Sequence, residues 1–399
     1  MFKGSKQVIS DEKKIDELLS RGVAEALPSH DSLKKLLMSG ERLRIKLGVD
    51  PTGERLHLGH SVPLLKLRDF QELGHTIVFI VGDFTAVIGD TSDKESERPM
   101  LSQGDIKKNM VTWKSQVGKI LDLSKTEFRR NSEWLGKLTY REIGEHADLF
   151  SVADFTAREN IKRRLEQGKR VSLREVLYPL MQGYDSVAVK ADVELGGSDQ
   201  RFNLLAGRTL QEHFKQTPQH VLTFSLITDA SGKKLSKTGS ATAYVSDSPD
   251  DLFGKTMSIP DDLTRQYFIS MTRVPLGEVE QLLAGHPRDA KLALAHELVR
   301  MYHGARLADE SKENFLKTFS QKEIPTDAPM CTIQAGQTVA DALLAAGVIA
   351  SKSEFRRLLD AGGVKIAGTE EKLTSNSLEK ISTGTTLRLG KHQFVKIIK

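Results

Sequence analysis

Leu43-Arg-Ile-Lys-Leu-Gly-Val49 alternates in polarity, Asp50-Pro-Thr-Gly53 follows as a turn, and Thr76-Ile-Val-Phe-Ile-Val81 is a short apolar run. The first segment predicts a strand and the last a strand buried on both faces. Between them Val62, Leu64, Leu65, Leu67, Phe70 and Leu73 recur at helical spacing, in a helix that opens near His60 and stops at Gly74. Strand, helix and strand in this order make a right-handed βαβ unit. Helical and strand-like patterns go on alternating to about Phe224, so the predicted fold class is α/β: a doubly wound parallel sheet, Rossmann-like, with its ligand at the carboxyl ends of the strands.

Upstream, Ile15, Leu18 and Leu19 lie at helical spacing within Ser10 to Gly22, and a second helical pattern covers Ser32 to Met38. Downstream, Val279, Leu282, Leu283, Leu292, Leu294, Leu298 and Met301 predict a helical region from Asp250 to about Lys322. Ile324-Pro-Thr-Asp-Ala-Pro329 reads as a linker. The tail predicts helices over Val339 to Ala346 and Ser353 to Ala361, then short strands between glycines, hence a small α+β module. The expected divisions are 1–225, a loop at 226–249, a helical domain at 250–323, a linker at 324–331 and the module at 332–399.

At 399 residues, 39% hydrophobic and 28% charged, the chain is neither disordered nor fibrous. Its net charge of +5 is too small to name a partner, but residues 332–399 hold 10 Lys and Arg against 6 Asp and Glu, which favours a nucleic-acid partner for the tail. Cys331 is the single cysteine and reads as a small half-buried linker residue in a reducing compartment. The charged amino-terminal stretch has no signal-peptide core and no 18 apolar residues are contiguous, so a cytoplasmic, non-membrane protein is expected.

The chemistry concentrates in two places. In Asp50-Pro-Thr-Gly-Glu-Arg-Leu-His57-Leu-Gly59-His60 a strand gives way to a helix amino terminus. Such a turn presents backbone N–H groups and the positive end of the helix dipole to an anion, with two imidazoles beside it. A His-x-x-His metal site lacks a third ligand of recognisable spacing here, whereas two structural histidines at a helix start remain competitive on spacing alone. The second place is Gly232-Lys-Lys234-Leu-Ser-Lys237-Thr-Gly239, whose lysines suit the charge that develops on a departing pyrophosphate.

Together these segments resemble the HIGH and KMSKS signatures of class I aminoacyl-tRNA synthetases. Gly48 to Thr52, Val87 to Arg98, Tyr178 to Asp185 and Glu194 to Gln200 are similar to the tyrosine enzymes in particular. The resemblance is to the second bacterial subfamily of tyrosyl-tRNA synthetases, and from Gln337 onward to their S-four RNA-binding module. It implies that Asp90, Tyr178 and Gln182 hold the ammonium group of L-tyrosine and that Asp185 binds its phenolic hydroxyl. Asp50, Gly59 and His60 are assigned to the adenosine, Thr52 and His57 to the phosphates, and Asp199 with Gln200 to the ribose and the reacting carboxylate. Lys94, Arg98, Lys234 and Lys237 surround the pyrophosphate. The catalytic set is then His57, His60, Lys94, Arg98, Lys234 and Lys237.

The same resemblance implies ATP as a substrate carrying Mg2+, no bound metal or organic cofactor, tRNA-Tyr as partner, no DNA or membrane partner, and a homodimer. It makes 1–225 catalytic, 226–249 a mobile signature loop, 250–323 anticodon-binding and 332–399 RNA-binding through Arg356, Arg357 and Lys365, with Lys391, Lys396 and Lys399 adding charge. Apolar residues around Trp134 to Phe155 suit the subunit interface. Two positions depart from the better-known branch. Lys46 stands in place of a tyrosine that touches the substrate hydroxyl, and reads either as a donor to the phenol or as pointing to solvent. Glu194 stands in place of glutamine. The rivals are a tryptophan enzyme, which Tyr178, Gln182 and Asp185 argue against, and a non-catalytic RNA-binding paralogue, which should have lost His57, His60, Lys234 or Lys237.

Overall fold

The computed structural model describes residues 8–90, 100–225, 227, 242–320, 328–334, 336–367, 371–374, 381–390 and 393–398. Six strands form the main sheet: β1 (Val23–Leu27), β2 (Arg44–Val49), β3 (Thr76–Val81), β4 (Thr126–Arg130), β5 (Val193–Gly197) and β6 (His220–Phe224), in the order β1-β6-β5-β2-β3-β4. All neighbours are parallel except β1, which pairs antiparallel with β6 at the edge. The chain runs from β2 outward to β3 and later returns to β5 on the other side of β2. The strand order therefore reverses between β2 and β5, where a doubly wound sheet opens its ligand crevice.

The βαβ unit forms as the periodicity predicts: β2, a 3-10 turn Leu58–His60, the helix Ser61–Glu72, then β3. One expectation changes. Polarity alternation in β2 reads as one wet face, yet Ile45, Lys46 and Leu47 are all buried. The cause is a second layer: the helix Leu173–Val189 covers the Lys46 side, so this central strand has helices on both faces.

The helix Leu173–Val189 packs against Arg201–His213 at very short range. A Cβ on Gly183 would lie 2.8 Å from Leu210 Cδ1 and 3.0 Å from the backbone carbon of Ala206, so only glycine permits the approach.

The helices of 249–320 share one continuous apolar core with the main sheet, since Leu252, Phe253, Phe268, Leu294 and Leu298 join Ile15, Leu65, Phe70 and Phe79. Polar clamps close this junction. Arg21 donates to the carbonyls of Phe268 and Ile269 at 3.0 and 2.9 Å, and Arg273 binds both oxygens of Asp69 at 2.8 Å. The tail has a separate core around Leu343, Phe355, Val364, Leu387, Val395 and Ile397. Its sheet runs β7 (Met330–Thr332), β10 (Gln393–Ile398), β9 (Thr386–Leu389), β8 (Val364–Ile366). Cys331 corrects its reading as a half-buried linker residue: β7 begins inside the expected linker and buries the thiol in the tail's core.

Gly183→Ala should drive the helix pair apart and cost about 1–3 kcal/mol. Urea unfolding of the two proteins measures it, and equal midpoints and slopes would show that the helices tolerate the methyl group.

Candidate active site

Three strand ends build the crevice. Asp50 follows β2, Gly82 follows β3, and the 3-10 turn Ser198–Gln200 follows β5. Asp50 accepts from Thr85 Oγ1 at 2.7 Å and from the Tyr178 hydroxyl at 3.0 Å. A Cβ on Gly82 would sit 2.0 Å from Asp50 Oδ1, so glycine there is a condition for this carboxylate position. Burial, then the Asp50 and Asp90 carboxylates, raise the Tyr178 phenol well above its ordinary pKa, which keeps it a neutral donor.

The two imidazoles of the first motif do converge. The His57 and His60 ring centroids are 3.8 Å apart, and a Cβ on Gly59 would lie 2.9 Å from the His57 ring. His57 is also bridged to Tyr244, with Leu58 N–H bonded to the Ala243 carbonyl at 3.0 Å and Val245 N–H to the Leu56 carbonyl at 2.9 Å. The chain just beyond the second motif is thus laid along the first. Thr52 lies in the turn after β2, its N–H on the Asp50 carbonyl at 2.8 Å. Lys94, Arg98, Lys234 and Lys237 lie outside the described residues.

Tyr178, Gln182 and Asp185 come from one face of the helix Leu173–Val189. Gln200 Nε2 donates to Asp90 Oδ2 at 2.7 Å, joining a residue expected at the ribose and reacting carboxylate to one expected at the ammonium group, and Tyr178 on Asp50 joins the tyrosine and adenosine sets; Asp199 sits beside Gln200 in the same turn. Trp134 and Asn131, which no motif singled out, complete the Asp185 site: Trp134 Nε1 donates to Oδ1 at 2.7 Å and Asn131 Nδ2 to Oδ2 at 3.3 Å. Burial pushes the Asp185 carboxyl up to about 6, opposed by the Lys46 charge and by these two hydrogen bonds.

Both sequence expectations for Lys46 are corrected. It neither points to solvent nor has an N–H left for a phenol. Its side chain is 0% exposed and Nζ contacts Glu194 Oε1 at 2.9 Å, the Gln182 carbonyl at 2.9 Å and Ser186 Oγ at 2.8 Å. Those three partners use all three ammonium donors. Lys46 and Glu194 are direct partners in the β2–β5 ladder, so the two departures from the better-known branch are one ion pair.

In the tail, Arg356 and Arg357 are exposed on the helix Lys352–Asp360, whose Phe355 is buried. Lys365 on β8 stands opposite Arg388 on β9 and is bridged to Lys372 on its other side. Like charges placed side by side on a ladder repel, so this row suits an anionic partner. Lys396 lies on β10, whereas Lys391 and Lys399 fall outside the described residues. Among the described residues no helix is long and apolar enough to cross a membrane, and no group of three or more His, Cys, Asp and Glu could hold a metal ion.

A family model described as tRNA synthetases class I (W and Y) matches residues 38–320. The chain belongs to this class of synthetases. A tyrosine–tRNA ligase of Moorella thermoacetica is 43% identical over 392 residues, covering 95% of this chain and 94% of that protein. Tyrosine–tRNA ligase 2 of Vibrio parahaemolyticus is 42% identical over 385 residues, covering 95% and 97%. Within the class, the chain is a member of the tyrosine–tRNA ligases, and the likeness to a second Vibrio ligase fits the second bacterial subfamily. Among solved structures, a C-terminally truncated mitochondrial tyrosyl-tRNA synthetase of Coccidioides posadasii superposes with a TM-score of 0.63 at 25% identity, covering 75% of this chain and 91% of that one.

The raised Asp185 carboxyl has a consequence for stability. Its pKa is 3.8 in an ordinary setting and about 6 here, so between those values the folded chain holds the proton more tightly than the unfolded one. Stability then falls as pH rises through that window and levels off above it. Asp185→Asn removes this contribution. The stability difference from the parent should shift in the variant's favour by up to roughly 3 kcal/mol across the window, read by urea titration at each pH. A pH-independent difference would show that Asp185 titrates as an ordinary carboxyl.

Proposed function

We propose that the chain ligates L-tyrosine to tRNA-Tyr in two steps at the crevice between β2 and β5. In the first, a tyrosine carboxylate oxygen attacks the α-phosphorus of ATP and the bond to the bridging oxygen breaks, giving tyrosyl-adenylate and pyrophosphate. In the second, a hydroxyl of the terminal tRNA ribose attacks the tyrosyl carbonyl and AMP leaves. No side chain need become a covalent nucleophile. The protein contributes position and charge, as in other phosphoryl-type transfers.

The observation that carries this reading is the contact between the two half-sites. Tyr178 on Asp50 at 3.0 Å and Gln200 on Asp90 at 2.7 Å support a reading in which the amino-acid pocket adjoins the nucleotide turn and the tyrosine carboxylate meets the α-phosphate between them. Asp90, Tyr178 and Gln182 take the ammonium group and Asp185 the phenol. Asp50, Gly59 and His60 take the adenosine, Thr52 and His57 the phosphates, and Asp199 with Gln200 the ribose and the reacting carboxylate. Lys94, Arg98, Lys234 and Lys237 neutralise the pyrophosphate. Magnesium arrives with ATP, held mainly by phosphate and water.

Buried Asp185, already bound by Trp134 and Asn131, makes the pocket selective. Phenylalanine would desolvate the carboxylate and give nothing back. This family is itself the usual illustration of hydroxyl discrimination by an unpaired site group. The helical region 250–323 binds the anticodon, the tail binds tRNA through Arg356, Arg357 and Lys365, and the chain works as a cytoplasmic homodimer. Tyr140 at 93% exposure and Val152 at 76% support the expected apolar subunit interface between Trp134 and Phe155.

ATP–pyrophosphate exchange with tyrosine, phenylalanine and tryptophan tests the first step. Exchange with tyrosine alone, lost or relaxed toward phenylalanine in Asp185→Ala, is the expected result; no exchange with any of the three, from folded protein with magnesium, removes the ligase reading. For the tail, Arg356→Ala with Arg357→Ala should weaken tRNA binding and lower the slope of log K against log salt by roughly 1 to 2, with exchange unchanged. Parental tRNA affinity in that variant would move the RNA contact elsewhere.

A further inference from the structure

Lys46 and Glu194 sit beneath the amino-acid pocket at 0% and 1% side-chain exposure, and every polar valence of the pair is used. Glu194 Oε1 accepts from Lys46 and, at 3.2 Å, from Gln182 Nε2; Oε2 accepts from Ser186 Oγ at 3.0 Å and from Gln219 Nε2 at 2.5 Å. Four acceptor sites on the carboxylate and three donors on the ammonium leave none to offer a ligand. The space is closed as well. A Cβ on Gly207 would fall 2.6 Å from Gln219 Nε2 and 2.9 Å from Ser186 Oγ.

One member of this network also reaches the pocket. A side-chain amide has a donor end and an acceptor end, and rotation by half a turn exchanges them at almost no steric cost. A carboxylate in an ion pair only accepts, so it admits the N–H₂ end of Gln182 alone. We propose that Lys46 and Glu194 are positioning residues: the pair locks the Gln182 amide with its N–H₂ toward Glu194, which leaves the amide oxygen as the acceptor for the substrate's ammonium group. A glutamine at 194 accepts either end, so the lock comes with the acidic residue. Lys46 makes that acidic residue tolerable in a dry interior. The inference rests on the assignment of Gln182 to the ammonium.

The test uses the full-length protein and two ligands that share the phenol and differ in the ammonium: L-tyrosine as substrate, and 3-(4-hydroxyphenyl)propionate as competitive inhibitor of pyrophosphate exchange. Lys46→Met with Glu194→Gln removes both charges at similar volume. An amide free to sit either way is competent about half the time, so the tyrosine KM should rise at least about two-fold, and toward about ten-fold where the new glutamine donates to the Gln182 oxygen and holds the amide flipped. The inhibition constant of the propionate and the KM for ATP should both stay at the parental value. Equal losses for both phenols would mean that the pair acts through Asp185 or the pocket as a whole, and no loss for either would make it purely structural. Both outcomes overturn the proposal. If the double variant does not fold, Glu194→Gln alone, with Lys46 still held by the Gln182 carbonyl and Ser186, is read in the same way. Exchange by the parent protein with tyrosine is the control that separates a failure of this inference from a failure of the ligase reading.

Discussion

The junction of β2 with β5 is where the sheet reverses its order, and it is held by a buried ion pair. A lysine and a glutamate in a dry interior are costly apart and tolerable together, because each fills the other's valences and the remaining ones go to Gln182, Ser186 and Gln219. Loss of one partner from such a pair typically costs about 3–5 kcal/mol, whereas replacing both by well-packed neutral groups is often harmless. The pair is therefore better evidence of specificity than of stability. It fixes which face of the helix Leu173–Val189 meets the sheet, and that helix carries Tyr178, Gln182 and Asp185.

A second junction ties the crevice to the helical region. The helix that begins after His60 is gripped further along. Asp69 binds Arg273 through both oxygens, and Lys66 donates to the carbonyls of Leu18 and Arg21 at 2.6 and 2.9 Å. Burial lowers the Lys66 ammonium to about 8, the cost of placing a cation where three chain segments meet. Arg21 extends the same knot to Phe268 and Ile269. The helix with the histidine motif at its amino end is thus mechanically continuous with the helices proposed to read the anticodon, and the apolar core runs unbroken between them.

Much of the site was legible in the sequence because its residues lie in short local stretches. Asp50 to His60 reads as a strand, a turn and a helix start, whereas Tyr178, Gln182 and Asp185 were picked out by the family resemblance, and their spacing puts them on one face only once the helix Leu173–Val189 is known. Trp134 and Asn131 were not legible. Trp134 lies in the short helix Ser132–Leu135 that follows β4, Asn131 caps it, and both reach Asp185 only through the packing of that turn on Leu173–Val189, so they leave no periodic signal. Gly82 and Thr85 were missed for a related reason: the need for them comes from a carboxylate that arrives from another strand.

The sequence by itself determined the α/β class, the first βαβ unit to within a residue or two, the helical and α+β regions that follow, and the two signature segments. Hydrophobic period, turn chemistry and residue order are local properties, and they survive without a third dimension. Tertiary structure decided whether a polar residue on a strand faces water. Lys46 looks like the wet half of an alternating strand, and it is dry because a helix more than a hundred residues away covers it and a glutamate on the neighbouring strand neutralises it. Burial of a charge depends on what lies across the sheet, and that is a property of the packed chain.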